Sequence, residues 1–129
     1  MLKTGILNPH VLSLLGRFRH TNTLVIADRG FPSWRNLEIV DLSLVDGIPT
    51  VLHVLTAIRA SAVVGRIYMA EEFVKNNTDA VQRAFGQACE GVAVVHEPHV
   101  QFKTRVPAAI GLIRTGDTIP YANMILESA

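Results

Sequence analysis

A histidine and an aspartate stand where a predicted helix gives way to a strand and where that strand ends. His20 lies eight residues before Asp28. Imidazole titrates near neutral pH, so His20 could give and accept a proton within one reaction cycle. Asp28 follows a buried run and could accept a hydrogen bond from a substrate hydroxyl. The alternative is that His20 caps the C-terminus of the helix and Asp28 begins a turn.

A second candidate set lies in the segment His96-Glu97-Pro98-His99. The two histidines are spaced like metal ligands, but zinc needs three or four ligands. Only Cys89 and scattered histidines remain to complete such a set, so we predict no metal site. His99 begins a predicted helix and Lys103 follows one turn later, which makes them a plausible pair for binding hydroxyl groups. A solvated helix face explains both residues equally well.

The third candidate set is Tyr121 and Asn123, which follow Pro120 in a late loop. Phenol and amide groups form directional hydrogen bonds with the hydroxyl groups of a sugar. Taken alone, the same residues are typical of a turn that enters a strand. The chain has no Gly-x-Ser-x-Gly motif, and Cys89 lies within a predicted helix, where it is expected to pack as a small apolar residue.

Composition narrows the classes of function. Apolar residues make up 49% of the 129 positions, charged residues 18%, and the formal net charge is +1. This balance argues against binding to nucleic acid, and the low charge favours an oligomer that covers part of its surface. No apolar run reaches the roughly 18 residues that span a membrane. Because there is one cysteine and no signal-peptide pattern, we expect a cytoplasmic protein.

Alternating helices and strands must position these side chains. Asn8 and Pro9 are typical of a helix start, and Thr23 to Ala27 is a short β-rich apolar run. The pattern predicts one α/β domain over residues 1–129, with a mixed, largely parallel sheet flanked by helices. In such sheets ligands bind beyond the carboxyl ends of the strands, and the predicted elements place Asp28 and residues 96–99 there. Helices are predicted at about 9–19, 51–59, 71–75, 79–90 and 98–105, and strands at 23–27, 38–44, 62–69, 91–95, 108–113 and 122–126.

Short stretches across almost the whole chain match one known family in the family's order. The chain resembles the D-ribose pyranase and L-fucose mutarotase family, and is nearer its ribose branch. No single stretch is decisive, but the set is specific. The matching stretches are GILN at 5–8, RHTNTLVIADRGFP at 19–32, VDLSL at 40–44, GIP at 47–49, MAEEF at 69–73, HVQFK at 99–103, IRTGD at 113–117, PYAN at 120–123 and IL at 125–126.

The resemblance implies a ribose pyranase-like fold and an enzyme that interconverts cyclic forms of a free sugar, most simply D-ribose, without a cofactor. It implies a cytoplasmic homo-oligomer of pentamers stacked into decamers, with monosaccharide pockets at the subunit interfaces. The family's general acid falls on His20. Its substrate-binding residues fall on Asp28, His99, Tyr121 and Asn123, with Lys103 matching a lysine beside the pocket.

Two departures from the family pattern bear on activity. Asn22 stands where the family usually has an aspartate two residues after the histidine, and it lacks the charge that stabilises an imidazolium. Arg29 replaces a small residue and is expected to place a cation beside Asp28. Three alternatives follow: a mutarotase acting on another sugar, a non-catalytic sugar-binding homologue that regulates uptake or metabolism, and a protein whose assembly is its function.

Overall fold

A computed structural model describes all residues, 1–129. The chain alternates between helices and strands along its length. The helices are α1 (Pro9–Gly16), α2 (Val51–Arg59), α3 (Glu72–Asn76), α4 (Asp79–Ala88) and α5 (His99–Arg105), and a 3₁₀ turn follows at Val106–Ala108. The strands are β1 (Thr23–Ala27), β2 (Ile39–Asp41), β3 (Val64–Ala70), β4 (Ala93–Glu97), β5 (Leu112–Arg114) and β6 (Met124–Ser128).

The six strands form one sheet in the order β2-β5-β1-β6-β3-β4. Strand β1 is parallel to β5, β5 to β2, and β3 to β4. Strand β6 lies between β1 and β3 and is antiparallel to both. The prediction of a mixed, largely parallel sheet flanked by helices in a single α/β domain is therefore confirmed. Because β6 runs the opposite way, its first residues lie at the carboxyl edge of its neighbours.

Helix starts follow from local chemistry. The Asn8 side chain accepts hydrogen bonds from the amides of His10 and Val11, and Pro9 occupies the first helical position of α1. Proline is tolerated there because that position has no intrahelical acceptor for an amide. Thr50 begins α2 through a capping box with His53, and the Thr78 hydroxyl caps α4. These caps satisfy amides that the helices leave unpaired.

The sheet has an apolar cluster on each face. Twenty buried residues form the larger cluster, which includes Leu14, Leu55, Phe85 and Met124 and lies under α1, α2 and α4. Nine buried residues form the smaller cluster, in which Phe102 of α5 packs with residues such as Phe31. Strand β1 contributes to both clusters, since Leu24 and Ile26 face one side and Val25 and Ala27 the other. Fully burying a Leu, Ile or Val side chain contributes about 1.5 to 3 kcal/mol, so the packing of β1 on both of its faces stabilises the domain.

Helix α5 is held at its C-terminal end by a charged pair. The Arg105 guanidinium contacts the Glu97 carboxylate at 2.5 Å, and Glu97 is only 5% exposed. The guanidinium also lies 4.0 Å above the Tyr68 ring, a favourable position for a cation. These contacts fix α5 against β3 and β4, and with it the orientation of the side chains at its start.

Several predicted bounds were wrong. The first helix ends at Gly16 rather than near Arg19, because residues 17–22 fold into turns that lead the chain into β1. Strand β2 is shorter than 38–44, since the Asp41 carboxylate accepts from both the amide and the hydroxyl of Ser43 and turns the chain. The strand predicted at 108–113 covers only Leu112–Arg114. The predicted strand begins too early because Ala108 is still the last residue of a 3₁₀ turn that contains Pro107.

No helix in the structure is both long enough and apolar enough to cross a lipid bilayer.

Candidate functional site

The candidate side chains meet at one edge of the sheet. Asp28 directly follows β1, and His99 begins α5 two residues after β4 ends. Tyr121 and Asn123 precede β6, which is antiparallel to β1. The C-terminal ends of β1 and β4 and the N-terminal end of β6 therefore lie on the same side of the sheet, where its parallel strands end. This confirms that Asp28 and His99 lie beyond the carboxyl ends of strands, whereas His96 and Glu97 are the last two residues of β4.

The side chain of Asn123 forms hydrogen bonds with both the backbone and the side chain of Asp28. The Asn123 side-chain oxygen accepts from the Asp28 amide at 2.7 Å, and its NH2 group donates to Asp28 Oδ2 at 3.2 Å. The amide of Gly30 donates to the other carboxylate oxygen at 2.9 Å. Asn123 is 4% exposed, so its amide is occupied by Asp28. The carboxylate retains free lone pairs that could accept from a ligand hydroxyl.

The His99 amide is bound by a carboxylate from another helix. Both oxygens of Glu72 accept from it, at 3.0 and 3.1 Å. Helix α5 needs this external partner because its N-cap is Pro98, which makes no side-chain capping bond. Glu72 thus stabilises the start of α5 and fixes the position from which the His99 side chain extends.

The His99 ring lies among three aromatic rings. It meets Tyr121 edge-on at 5.2 Å between centroids and Phe31 edge-on at 6.5 Å, and it stacks on Phe102 at 6.0 Å. Its Nδ1 atom is buried and has no hydrogen-bond partner. Burial in this environment lowers the pKa of His99, and the charge of Lys103 lowers it further. A neutral imidazole carries one donor and one acceptor nitrogen, so His99, which lines a cavity, is suited to bind a hydroxyl group.

Tyr121 has a backbone conformation that is rare for a residue with a side chain. Its φ is 56°, in the left-handed region, which such residues adopt only when their surroundings hold them there. The side chain of Asn77 donates to the carbonyl of Pro120 at 2.9 Å, which restrains the loop just before it. This conformation directs the Tyr121 ring towards His99.

These residues line one open cavity of about 300 Å³. This volume is at the small end of the usual range for ligand pockets, about 300 to 1,000 Å³. It combines a carboxylate, an imidazole and a phenol with the apolar ring of Phe31, so it can bind a small molecule with several hydroxyl groups. The lining residues are Asp28, Gly30, Phe31, Pro32, His99, Pro120, Tyr121 and Asn123.

Lys103 lies one helical turn after His99 and does not line the cavity. Its positive charge nevertheless disfavours the imidazolium and so lowers the pKa of His99, in addition to the effect of burial. We therefore expect Lys103→Gln to raise the pKa of His99 towards its ordinary value of about 6.5. Titration of the imidazole proton signals by NMR measures this change, with His99→Gln used to assign the signal.

Lys75→Gln is the matched control for this experiment. Lys75 is exposed and pairs with Glu71 at 3.5 Å, away from the cavity, so its removal should leave the pKa of His99 unchanged. An equal pKa of His99 in the wild type and in Lys103→Gln would contradict the predicted coupling. Since the pKa of folded His99 is depressed, hydroxyl binding by its neutral form should persist to somewhat below a pH of about 6.5 and be lost only as pH falls through the lowered value.

His20 is not brought to this cavity. It is exposed in a turn before β1, whereas Asp28 follows the end of β1. The five residues of β1 separate the two turns by roughly 16 Å at the usual rise of a strand. The amide of Thr21 donates to the carbonyl of Ser128 at 3.1 Å, so His20 lies beside the far end of β6. Within this chain, His20 and Asp28 are at opposite ends of β1.

The two departures from the family pattern have local partners. The side-chain oxygen of Asn22 accepts from the Arg19 amide at 3.0 Å and closes the turn that carries His20. The guanidinium of Arg29 pairs with Asp46 at 2.8 Å, where the β2–α2 connection passes. The expectation that Arg29 places its charge against Asp28 is not met, because Asp46 binds that charge.

His96 and His99 face different surroundings. His96 lines a separate, mainly apolar cavity of about 350 Å³ beside α3 and α4, together with Cys89. No three histidine, cysteine or acidic side chains come close enough to hold a metal ion. Cys89 is 5% exposed, and burial raises the pKa of its thiol, so it packs as a small apolar residue as expected.

Sequence reasoning missed two residues that shape the site. Glu72 belongs to the stretch 69–73 that matches the family, and its carboxylate binds the His99 amide. The signal for this was Pro98, which has no side-chain group that could cap α5. Phe31 forms one wall of the cavity and belongs to the stretch 19–32 that matches the family, although nothing local distinguishes it from an ordinary core residue. The Arg114 guanidinium donates to the Phe31 carbonyl and holds this wall in place.

Comparison with known proteins agrees with this architecture. The model of the RbsD / FucU transport protein family matches residues 1–129. D-ribose pyranase of Geobacillus kaustophilus is 42% identical over 128 residues, which cover 99% of this chain and 93% of that protein. D-ribose pyranase of Halalkalibacterium halodurans is 40% identical, with coverages of 99% and 97%.

Solved structures give the same result for the fold. Bacillus subtilis RbsD complexed with D-ribose superposes with a TM-score of 0.93 at 31% identity, covering 100% of this chain and 98% of that one. The fucose mutarotase of Streptococcus pneumoniae in complex with L-fucose has a TM-score of 0.79 at 22% identity, covering 95% and 92%, and bears on the fold alone. With a family match over the whole length and relatives at 40 to 42% identity, the chain belongs to the RbsD / FucU family.

Proposed function

We propose that this protein interconverts the pyranose and furanose forms of a free aldose, D-ribose, as a cofactor-free isomerase. The observation that carries the proposal is the convergence of Asp28, His99 and Tyr121 on one small cavity. Relatives at 40 to 42% identity are D-ribose pyranases, and a structural relative at 31% identity was solved with D-ribose. The single domain over residues 1–129 then supplies the hydroxyl-binding groups of the sugar pocket.

The proposed reaction needs only proton transfer. In ring opening, the anomeric hydroxyl loses a proton while the ring oxygen gains one, and the bond between that oxygen and the anomeric carbon breaks. Reclosure through a different hydroxyl reverses these steps. The oxidation state of the sugar does not change, so neither a redox cofactor nor a metal is required. The sugar hydroxyl groups would be held by Asp28, neutral His99 and Tyr121. Asn123 would fix the Asp28 carboxylate, and the charge of Lys103 would lower the pKa of His99.

His20 is the proposed proton donor, and a neighbouring subunit would have to supply it. It lies at the opposite end of β1 from the cavity of its own chain. One surface of the chain therefore carries the cavity, and a different surface carries His20. An interface between two different surfaces is head-to-tail, and repeating it gives a ring when the rotation between subunits divides a full turn. We therefore propose a homo-oligomeric ring, a pentamer or two stacked pentamers, with the pocket completed at each interface.

We also propose a cytoplasmic location. Cys89 is the sole cysteine of the chain and its thiol is buried and free. A free, unpaired thiol is typical of proteins that work in a reducing compartment.

The activity is tested by saturation-transfer NMR on ribose. Added protein should speed exchange between the pyranose and furanose signals. His20→Ala should lower the catalysed exchange rate about a hundred- to ten-thousand-fold, the usual contribution of a proton-transfer group. His10→Ala is the control, since His10 is exposed on α1 and does not line the cavity. Exchange that is no faster with the wild-type protein than in buffer, for ribose, fucose and other common aldoses, would rule out catalysis.

A non-catalytic sugar-binding protein is the second candidate, because the cavity of one subunit holds hydroxyl-binding groups but not His20. The two candidates respond differently to Asn22→Asp. A carboxylate can still accept from the Arg19 amide, as Asn22 does, and it adds a charge beside His20. In an enzyme this change should raise the exchange rate, whereas a pure binding protein would remain inactive.

A further inference from the structure

Asp117 is a buried carboxylate that has no cationic partner. It is 2% exposed and forms no ion pair. Its Oδ2 accepts from the amide of Val51 at 2.8 Å, and its Oδ1 accepts from the amide of Ile119 at 2.9 Å. Val51 is the first residue of α2, where the helix dipole favours a negative charge. The carboxylate therefore ties the β5–β6 connection to the start of a distant helix.

The backbone around Asp117 binds both neighbours of Asp28. The Asp117 carbonyl accepts from the amide of Arg29 at 3.1 Å. Two residues earlier, the amide and hydroxyl of Thr115 donate to the Ala27 carbonyl, each at 2.8 Å. Asp28 lies between these two attachment points. The direction in which the Asp28 side chain extends from the end of β1 consequently depends on the position of the segment 115–117.

Asp117 also acts on the loop that carries Tyr121. Through Oδ1 it fixes the amide of Ile119, and the Ile119 carbonyl accepts from the amide of Ala122. Tyr121 lies between these contacts with its left-handed backbone, which persists only where the surrounding structure holds it. Loss of the Asp117 bonds would remove one of the restraints on that conformation.

We propose that Asp117 is a positioning residue that fixes Asp28 and Tyr121 relative to each other through its bonds to Val51 and Ile119. Its effect on sugar turnover rests on the proposed function, whereas its effect on the two loops does not. Asp117 does not line the cavity, so it acts only through the residues that do.

Asp117→Asn is the first test. Asparagine keeps the shape but has one acceptor oxygen, so its NH2 group must face a backbone amide and one bond is lost. We expect the KM for ribose to rise roughly 10- to 100-fold, as small misplacements of substrate-positioning groups can produce, with a smaller change in kcat because His20 is untouched. Asp79→Asn, at the exposed start of α4, is the matched control.

Hydrogen exchange followed by mass spectrometry tests the positioning without any sugar. In Asp117→Asn, peptides covering residues 27–31 and 117–123 should exchange faster, while those of β3 and α4 should not change. Asp79→Asn should leave the first two peptides unaltered. If Asp117→Asn proves too unstable to assay, Val51→Pro serves instead, since it removes the amide that Oδ2 binds at a helix position where proline is tolerated.

The outcomes separate this proposal from the proposed function. Wild-type exchange at both peptides in a folded Asp117→Asn or Val51→Pro variant would overturn the positioning role. Faster exchange with an unchanged KM would overturn the role in sugar binding. A wild-type protein that accelerates no sugar exchange would refute the proposed function alone, and the hydrogen-exchange comparison would still decide whether Asp117 holds the two loops.

Discussion

Co-expressed His20→Ala and Asp28→Asn subunits are expected to regain about a quarter of the wild-type ring-exchange rate, although each variant alone loses nearly all of it. The reason is that each proposed site takes His20 from one subunit and Asp28 from its neighbour. In a randomly mixed ring with head-to-tail interfaces, about a quarter of the interfaces join an intact His20 to an intact Asp28. Saturation-transfer NMR on the mixed assembly measures the recovery.

The two variants are chosen to preserve the fold. His20 is exposed, and asparagine at position 28 keeps the shape of the aspartate. The control mixes His20→Ala subunits with subunits that carry both changes, because no interface in that assembly can be complete. A rate that stays at the level of the separate variants would show that His20 does not reach a neighbour's cavity, and the composite site would have to be abandoned.

Asn123→Asp is expected to destabilise the protein strongly at neutral pH and to abolish sugar binding. The NH2 group of Asn123 lies 3.2 Å from Asp28 Oδ2 and the residue is 4% exposed. The substitution replaces an attractive hydrogen bond with two nearly adjacent carboxylates. At an effective dielectric constant of about 20, two unit charges about 4 Å apart repel by on the order of 4 kcal/mol, a large part of the stability of a small domain.

The same substitution should be tolerated better in mild acid. Two carboxylates at this distance share a proton, which raises the pKa of the pair in the folded state above that of the unfolded chain. The folded variant then binds more protons than the unfolded one, so the destabilisation is absent below the ordinary pKa of aspartate and grows as pH rises through the raised value.

Thermal unfolding of Asn123→Asp and the wild type at about pH 5 and about pH 7.5 measures this dependence. Asn36→Asp makes the same charge change at an exposed position and should have little effect at either pH. If the difference between Asn123→Asp and the wild type were the same at both pH values, the predicted coupling to Asp28 would be wrong.

Much of the fold could be predicted because it depends on neighbours in the sequence. The apolar run at Thr23–Ala27, the Asn8-Pro9 start and the Thr78 cap act within a few residues, and the structure has the corresponding strand and helices there. Errors fell at the ends of elements, where side chains compete with the regular hydrogen-bond pattern. The Asp41 carboxylate, which turns the chain at Ser43, is an example.

The candidate residues could likewise be named from the sequence, but their arrangement could not. Asp28, His99, Tyr121 and Asn123 were all identified, partly from residue type and mainly from the family resemblance. Nothing within any one segment indicates that Asn123 binds Asp28, 95 residues away in the chain. The roles of Glu72 and Asp117 were missed for the same reason, since each binds a helix start that belongs to another part of the chain.

The sequence by itself determined the order and type of the elements and the residues capable of chemistry, because these follow from periodicity, capping and side-chain type. Only the tertiary structure decided that β6 inserts antiparallel between β1 and β3. That single choice of strand pairing brings Tyr121 and Asn123 to Asp28, whereas β1 itself keeps His20 at the opposite end of that strand. Strand order depends on contacts between distant segments, and local patterns in a sequence carry no record of which strands will meet.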